Sequence, residues 1–417
     1  MIPNYSNTIM AILVMISGLF ACSQKPGQSV ESGIPVLKTG SQQPMPDEWI
    51  DEDTGHKIKR ITRRAKGGRS FYFHNNPFVK AENGDDLMVF YGEAEDESHQ
   101  LFSVNLATLE IEQLTDHSTG FRGEIVTKKS KEVFYQSRDS VFATNILNKE
   151  TRLVYIFPED FQAGITTINA DETLLAGSYA DPIKDSIYRA NPKKGDYFNL
   201  IYEAKIPHTL FTVNIETGEL KKLYSEEAWL NHVQFSTTDP DLLMYDHEGP
   251  WHLVDRIWTI NVKTSENQLM HERTVHREIA GHEFFGRDGA TIWYDLQKPR
   301  GETFFLAGVD VVTLEKTIYA MKRNEWSIHF NISPDQKLFA GDGGDSTQVA
   351  HAPNGQWIYL FTPEGDSLKS EKLVNMEKHG YRPLEPNVHF SPDGKWLIFR
   401  SDLDGTVHSY AVEIEGS

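Results

Sequence analysis

The sequence has little that would cross-link it or attach it to nucleic acid. Its 417 residues include one cysteine, Cys22, which excludes an intramolecular disulfide. The 60 acidic residues outnumber the 41 lysines and arginines and give a formal net charge of −19. Because nucleic-acid phosphates are bound by clustered Lys and Arg, we expect no nucleic-acid partner. An anionic ligand would need a local positive or metal-bearing pocket.

Long hydrophobic runs are also scarce. The uncharged segment Ile9–Ala21 is too short to span a bilayer and has the size of a signal-peptide core. Leu19-Phe20-Ala21-Cys22 resembles the lipobox that precedes the acylated cysteine of bacterial lipoproteins. We therefore expect a signal peptide over residues 1–22, lipidation at Cys22 and a periplasmic or outer-membrane lipoprotein. Membrane attachment would occur only through this anchor.

Two alternatives to lipidation are a plain secretory signal and an unprocessed apolar segment, since residues 1–8 contain no Lys or Arg. Residues 23–49 are rich in Ser, Gln, Pro and Gly, which predicts a flexible tether to the cell envelope.

A unit of short strands recurs over residues 50–417. Within Asn231–Ile260, a His-led strand, a Thr-Thr-Asp-Pro turn, an apolar strand, a His-Glu-Gly-Pro loop and a last strand follow one another. Related units begin at Gly281, Ser327 and Asn387. A four-stranded unit repeated about every 45 residues is typical of a β-propeller.

We predict an all-β fold, a seven-bladed β-propeller. The alternating segment His56–Arg63 precedes the repeats, and we expect it to complete the last blade and close the ring. A charged, Tyr-rich insertion, Asp181–Ala204, interrupts the third blade and predicts a loop or short helix over one face.

Histidines occupy matching positions in several blades. Innermost propeller strands line a central channel, so His232, His282, His329 and, less regularly, His389 are expected to point toward one place. A single histidine of this kind is usually structural, whereas several in register indicate a functional cluster.

Three familiar motifs are absent. His247-Glu248 followed by His252 has the wrong spacing for HExxH, and Pro250 would break the helix that this motif needs. Gly365-Asp366-Ser367-Leu368 lies in a hairpin without a GxSxG elbow, and Gly341–Gly344 lacks the Lys-Ser/Thr of a phosphate loop. Gln348-Val349-Ala350-His351 could supply polar groups at the rim.

Several segments resemble the oligogalacturonate lyase family (polysaccharide lyase family 22). They are Leu230-Asn231-His232, HEGPWHLVDRIW (His247–Trp258), Gly281-His282-Glu283-Phe284, Ser327-Ile328-His329 and the late SPDG strand. The resemblance implies a seven-bladed propeller that cleaves short pectin fragments by β-elimination, with a divalent metal, typically manganese. It places the family's catalytic base at His232 and a metal ligand at His282.

The chain departs from the family at its other ligands. The Gln-x-x-His-x-His run of the family aligns with Arg382–Asn387, where the Gln and both His are missing. The substrate-binding arginine of the family aligns with Thr209, beside His208.

Elimination explains why such residues are needed. The proton at C5 of a uronate becomes removable only when the neighbouring carboxylate is neutralised by a metal or an arginine. A neutral histidine can then take the proton while the C4 oxygen leaves. We could identify no positioned acid pair of the kind that glycoside hydrolysis requires.

Three interpretations of the altered site stay open. His282, Glu385 and Asn387 could form an oxygen-rich site for Mn²⁺, Mg²⁺ or Ca²⁺. Arg382 could instead grip the carboxylate with no metal at all. In the third interpretation, the pocket has lost this chemistry and acts on a different uronide or only binds carbohydrate as a scaffold lipoprotein.

We predict His232 and Arg382 as catalytic residues acting on oligogalacturonate-type uronic acid oligomers. Further substrate contacts are assigned to four histidines, His208, His247, His329 and His389.

Overall fold

The computed structural model describes residues 33–382 and 384–414. The predicted signal peptide, its lipobox and Cys22 lie outside these residues. The described chain is built mainly of short antiparallel strands joined by tight turns. Its strands form four-stranded units that follow one another along the sequence, and two of these units join into one eight-stranded sheet. Together they confirm the predicted seven-bladed propeller.

Three N-terminal strands precede the first blade, namely β1 (Val36–Leu37), β2 (Glu48–Asp51) and β3 (Lys57–Arg60). The first blade contains β4 (Phe78–Lys80), β5 (Asp86–Glu93), β6 (His99–Asn105) and β7 (Ile111–Gln113). The second contains β8 (Arg122–Val126), β9 (Glu132–Ser137), β10 (Ser140–Asn145) and β11 (Thr151–Ile156). The third contains β12 (Gly164–Ile168), β13 (Leu174–Ala180), β14 (His208–Asn214) and β15 (Leu220–Glu226).

The remaining blades continue this order. The fourth contains β16 (Leu230–Phe235), β17 (Leu242–His247), β18 (Ile257–Asn261) and β19 (Asn267–Leu269). The fifth contains β20 (Ile279–Phe285), β21 (Thr291–Gln297), β22 (Phe304–Asp310) and β23 (Lys316–Met321). The sixth contains β24 (Phe330–Ile332), β25 (Phe339–Gly341), β26 (Trp357–Glu364) and β27 (Ser367–Asn375). The seventh contains β28 (His389–Phe390), β29 (Trp396–Ser401) and β30 (His408–Glu413).

The ring closes by pairing of the two ends of the chain. Strand β3 lies antiparallel to β30, with Ile58 opposite Val412 and Arg60 opposite Tyr410. Strand β3 therefore supplies the fourth strand of the last blade, as the sequence predicted. This pairing removes an open edge that would otherwise be available to other chains.

The predicted tether is wrong over part of its length. Strand β2 pairs with β3, and β1 adds to β2, which extends the seventh blade to six strands. Trp49 is fully buried, and its Nε1 donates to Thr39 Oγ1 at 2.9 Å. Gly40 lies in a turn between β1 and β2, and the buried Trp49 anchors the stretch. Residues 23–32 of the predicted tether lie outside the described chain.

Two helices form the insertion in the third blade. They are α1 (Ile183–Ala190) and α2 (Lys194–Ala204), between β13 and β14. Their apolar side chains form a cluster with Ile206 and Trp229, in which Ile201 of α2 is fully buried. Gly249 lies against this pair, since a Cβ at that position would meet the Tyr202 ring at 2.5 Å. A 3-10 turn (Arg323–Glu325) precedes the sixth blade.

A segment between β3 and the first blade runs into the channel. Phe73 stacks on His329 with ring centroids 4.6 Å apart, and its backbone N–H donates to Asn387 Oδ1 at 2.8 Å. The backbone N–H of Tyr72 donates to Glu124 at 2.8 Å. This channel segment, residues 71–76, therefore connects the second, sixth and seventh blades.

Candidate functional site

Two of the predicted histidines stand at bulges of innermost strands. In β16 the register shifts between Asn231 and Gln234, and His232 has φ +46°. In β20 it shifts between Gly281 and Phe284, and His282 has φ +52°. Positive φ is uncommon for a residue other than glycine, and a bulge re-aims the side chain that it carries. The same local distortion thus recurs in neighbouring blades.

A buried arginine forms the centre of the site. Arg256 Nη1 lies 2.8 Å from Glu248 Oε1, and its Nε lies 3.1 Å from Glu283 Oε2. Its second Nη contacts Asp246. All four side chains are buried, so the guanidinium is surrounded by three carboxyl groups instead of water. Buried charges need this kind of pairing.

The three carboxyl groups differ in their protonation. Burial and the neighbouring carboxylates raise the pKa of Asp246 well above its ordinary value, although Arg256 opposes this. Burial is the largest influence on Glu248 and Glu283 and acts in the same direction, but Arg256 and His232 together outweigh it, helped at Glu283 by a hydrogen bond with Asp246, so that both pKa values lie below the ordinary range. Burial thus favours the protonated form of Asp246, whereas the anionic forms of the two glutamates are favoured.

Glu248 connects this group to His232. Its Oε2 lies 3.2 Å from His232 Nε2, and its Oε1 accepts a hydrogen bond from Trp251 Nε1 at 3.1 Å. An anionic carboxylate beside Nε2 assigns the imidazole proton to that nitrogen. The lone pair of a neutral His232 is then on Nδ1.

His282 is the least satisfied of the channel histidines. Its ring makes edge contacts with Trp251 and His329, with centroids 5.0 and 4.9 Å away. Its buried Nδ1 has no hydrogen-bond partner among the described residues. Burial, followed by the effect of His329, lowers its pKa well below 6.5. His282 is therefore a neutral imidazole with a buried Nδ1 that no described residue satisfies.

His329 is held more firmly. Its Nδ1 lies 2.8 Å from Asp342 Oδ2 and its Nε2 lies 3.1 Å from the Tyr72 hydroxyl. Glu385 Oε2 is 3.8 Å from the same Nε2. The ring is fully buried. His329 thus orients the wall of the channel, and its contacts leave little of it for a substrate.

An opening of about 660 Å³ lies beside His282, within the range of about 300–1,000 Å³ that is typical of ligand sites. We call it the upper opening. Its side chains come from α2 and from loops of the fourth to seventh blades. They include Lys194, Trp251, Arg277, His282, Arg300, Gln348, His351, Arg382 and Glu385. Four of these are cations that form no ion pair with an acidic residue of the described chain.

The upper opening brings together some of the predicted residues. His282, Glu385 and Arg382 line it, and so do Gln348 and His351 of the polar rim segment. Arg382 is exposed, and its Nη2 donates to the Thr347 carbonyl at 3.1 Å.

Other predicted residues are committed to structural contacts. Asn387 is fully buried, and its Oδ1 accepts from the Phe73 backbone, so it does not join His282 and Glu385. His389 is buried and contacts the Tyr72 carbonyl at 3.2 Å. These side chains anchor the channel segment.

Two further predicted histidines also lie away from the upper opening. His208 is buried below the inserted helices, with Nδ1 2.8 Å from the Ile206 carbonyl and Nε2 2.9 Å from Lys184 Nζ. His247 stacks on Trp258 and lies 3.0 Å from Glu226. Neither is among the residues that line the upper opening.

Within the described residues, one group has the spacing to hold a metal ion. It consists of His232, Asp246 and Glu283, whose ligand atoms lie within 4.8 Å of one another. An imidazole and two carboxylates suit Mn²⁺ or Mg²⁺. Arg256, however, already pairs with both carboxyl groups, and its charge would repel a cation there. This group does not fit a resident divalent ion.

Sequence reasoning missed the residues around Arg256. The signal was present, because Arg256 and Glu283 are charged residues directly before runs of large apolar residues, in VDRIWTI and GHEFFG. Buried charges at such positions indicate either a structural ion-pair network or a functional site. The channel segment with Tyr72 and His74 was missed as well.

Fold and site together define a β-propeller whose channel carries a histidine, carboxylate and arginine centre below a cationic opening. No helix in the described part of the chain is long and apolar enough to cross a bilayer. The sequence model of the oligogalacturonate lyase family matches residues 45–417. The chain belongs to this family of lyases.

Its relatives cover almost its whole length. The chain is 24% identical over 396 residues to the oligogalacturonide lyase of Pectobacterium atrosepticum, covering 88% of this chain and 96% of that protein. It is 25% identical over 397 residues to the oligogalacturonate lyase of Dickeya dadantii, with the same coverage.

Two solved structures share the fold. An oligogalacturonate lyase in complex with manganese superposes with a TM-score of 0.75 at 24% identity, covering 88% of this chain and 96% of that one. The oligogalacturonate lyase from Vibrio parahaemolyticus gives a TM-score of 0.76 at 24% identity, with the same coverage.

Proposed function

We propose that the chain is an oligogalacturonate lyase that cleaves short uronate oligomers by β-elimination, with His232 as the base. The contact between His232 Nε2 and Glu248, at 3.2 Å, carries this proposal. It leaves the Nδ1 lone pair to accept a proton and gives the imidazolium that forms an anionic partner. Carboxylates that orient a histidine in this way are common in acid–base catalysis.

The proposed reaction needs a positive partner for the substrate carboxylate. We assign this role to Arg382, because it lines the upper opening with His282 and makes no ion pair with a described acidic residue. His232 itself is not among the residues that line this opening. A guanidinium can bind a carboxylate through two parallel hydrogen bonds. The neutral His282 can accept or donate one further hydrogen bond there.

The proposed elimination moves one proton and breaks one carbon–oxygen bond. His232 Nδ1 takes the C5 proton, and the electron pair passes first into the carboxylate-stabilised enolate. That pair forms the C4–C5 double bond as the C4–oxygen bond breaks. The departing oxygen receives a proton from water, and the hydroxide that is left takes the proton back from the His232 imidazolium. The products are an unsaturated uronate and a shortened oligomer. Preorganised charge at the carboxylate lowers the barrier most where negative charge develops.

The first experiment uses the full chain with di- and trigalacturonate and follows the ultraviolet absorbance of the unsaturated product. His232→Ala should lower kcat by about 10²–10⁴-fold while the unfolding temperature is unchanged, and added imidazole should restore part of it. Unchanged turnover in this variant would remove His232 from the mechanism. A folded wild-type chain that forms no product would support the binding or scaffold alternative.

A chelator separates the two ways of neutralising the carboxylate. Turnover that survives EDTA and is lost in Arg382→Ala would support arginine in this role. Turnover that EDTA abolishes and Mn²⁺ restores would overturn it in favour of a metal held by His282 and Glu385.

We further propose that the protein is an envelope lipoprotein anchored at Cys22. This rests on the apolar run Ile9–Ala21 and the lipobox-like tetrapeptide alone. Cys22→Ser should move the protein from the membrane fraction to the soluble fraction. An equal distribution of both forms would refute the anchor.

A further inference from the structure

Three cations of the upper opening are not used by the proposed reaction. Arg277 precedes β20, Arg300 lies in the loop between β21 and β22, and Lys194 begins α2. None of them forms an ion pair with an acidic residue in the described part of the chain. All three are exposed, so their charges face the solvent of the opening.

The fold holds the two arginines close together. The backbone N–H of Arg300 donates to the Arg277 carbonyl at 2.8 Å. The pKa of the nearby His252 reflects their positive charge. Burial lowers this pKa most, and the charges of Arg300 and Arg277 lower it further. The buried Nδ1 of His252 has no partner among the described residues. Positive groups are thus gathered at one place.

Such a gathering is unusual for this chain. Its formal net charge is −19, so its overall field repels an anionic ligand. Like charges held side by side also repel each other until an anion binds. Arginines without carboxylate partners at a cavity mouth therefore point to an anionic ligand, and their planar forks suit a carboxylate.

The inserted helices add the third cation from another blade. Lys194 reaches the upper opening from α2, which is fixed by the packing of Phe198 against Trp229 at 5.4 Å. The opening is thus lined by Arg382 and His282 and also by Lys194, Arg277 and Arg300. At about 660 Å³ it has room for more than one sugar ring.

We propose that Arg277, Arg300 and Lys194 form a second carboxylate subsite, which binds a non-reacting uronate unit of the oligomer. This rests on the proposed lyase function and extends it to specificity. The subsite selects oligomers that are free acids at neighbouring units and disfavours those whose neighbouring carboxyl groups are esterified. It is a binding subsite and does not take part in bond breaking.

The test compares two substrates with the full chain. One is trigalacturonate, and the other is trigalacturonate methyl-esterified on every unit except the one that reacts. For the wild type, kcat/KM should be at least about tenfold higher on the free acid, the factor that corresponds to about 1.4 kcal/mol. Arg277→Ala/Arg300→Ala should remove this preference by lowering only the free-acid value. Lys194→Ala should remove a smaller part.

The matched control changes the same number of charges elsewhere. Lys128→Ala/Lys129→Ala alters two exposed lysines in the turn after β8, which are not among the residues lining the upper opening. This control should keep the full preference for the free acid. Raising the salt from about 0.01 to about 1 M shortens the screening length from about 30 to about 3 Å and should shrink the preference in wild type.

The outcomes separate the two proposals. If the wild type forms no product from either substrate, the lyase function itself fails. If it turns over both and the double arginine variant keeps the same free-acid preference, the subsite is refuted while the lyase function stands. Equal loss on both substrates would also refute it, because that pattern shows a general structural effect.

Discussion

Replacing Arg256 tests whether the buried centre is held by charge. In Arg256→Met the side chain keeps much of its length, but Glu248 and Glu283 lose their partner while they stay buried. Removing one member of a buried ion pair typically costs about 3–5 kcal/mol. For about 380 ordered residues, an unfolding entropy of about 2.1 cal/mol/K per residue gives about 0.8 kcal/mol/K. The expected fall in Tm at pH 7 is therefore roughly 4–6 °C.

The fall in Tm of Arg256→Met should be larger at higher pH. In the wild type the pKa values of Glu248 and Glu283 are lowered on folding, so their pairing stabilises the fold fully above about pH 4.3 and is lost progressively as pH falls from there through the lower folded-state pKa values. In the variant the buried carboxylates are unpaired, and their cost grows as pH rises through the same range. The difference in Tm should be larger at pH 7 than near pH 4, because the cost of the unpaired carboxylates in the variant has largely disappeared at the lower pH.

Differential scanning calorimetry of both proteins across this range measures the prediction. Adding Glu248→Gln and Glu283→Gln to the variant should recover most of the lost Tm at pH 7, because no buried negative charge is then left unpaired. Arg256 also lies over the Trp251 ring, 4.9 Å from its centroid. A Tm difference that is the same at pH 4 and pH 7 would show that this packing dominates and would refute the charge argument.

Two further predictions concern the N-terminal residues. Trp49→Ala should cost about 3–5 kcal/mol in chemical denaturation, because Trp49 is fully buried in the seventh blade; a change below about 1 kcal/mol would mean that residues 36–51 behave as a tether. Tyr72→Phe removes the hydroxyl 3.1 Å from His329 Nε2 and should cost about 0.5–1.5 kcal/mol. A stability equal to wild type would show that the channel segment does not depend on this bond.

The blades could be predicted because each repeats the same local pattern. The His-led strand, the polar turn and the apolar strand are visible at His232, at His282 and near His329, and the structure places all three in innermost positions or directly before them. Ring closure could be predicted because the alternating segment His56–Arg63 lies outside the repeats and needs a strand partner. Local periodicity and turn residues carry this information, so one sequence suffices.

The details of the site depended on contacts between distant residues. Glu385 and Asn387 are two residues apart, yet one lines the upper opening and the other is buried against Phe73. Nothing in the local pattern distinguishes them, because the partner is more than 300 residues away. Trp49 was missed for the same reason, since a Pro- and Ser-rich segment gives no sign of the blade that will cover it.

The closure of the ring has a consequence for how the protein is made. Strand β3 emerges from the ribosome early, but its partner β30 begins at His408, about 350 residues later. At roughly 5–20 residues per second, that interval lasts roughly 20–70 s. During it, the backbone groups of β3 that face β30 have no partner, and residues 71–76 wait for the walls that will enclose them. The nascent chain therefore carries an unpaired strand until β30 is available, and the six residues His408–Glu413 decide whether the ring forms.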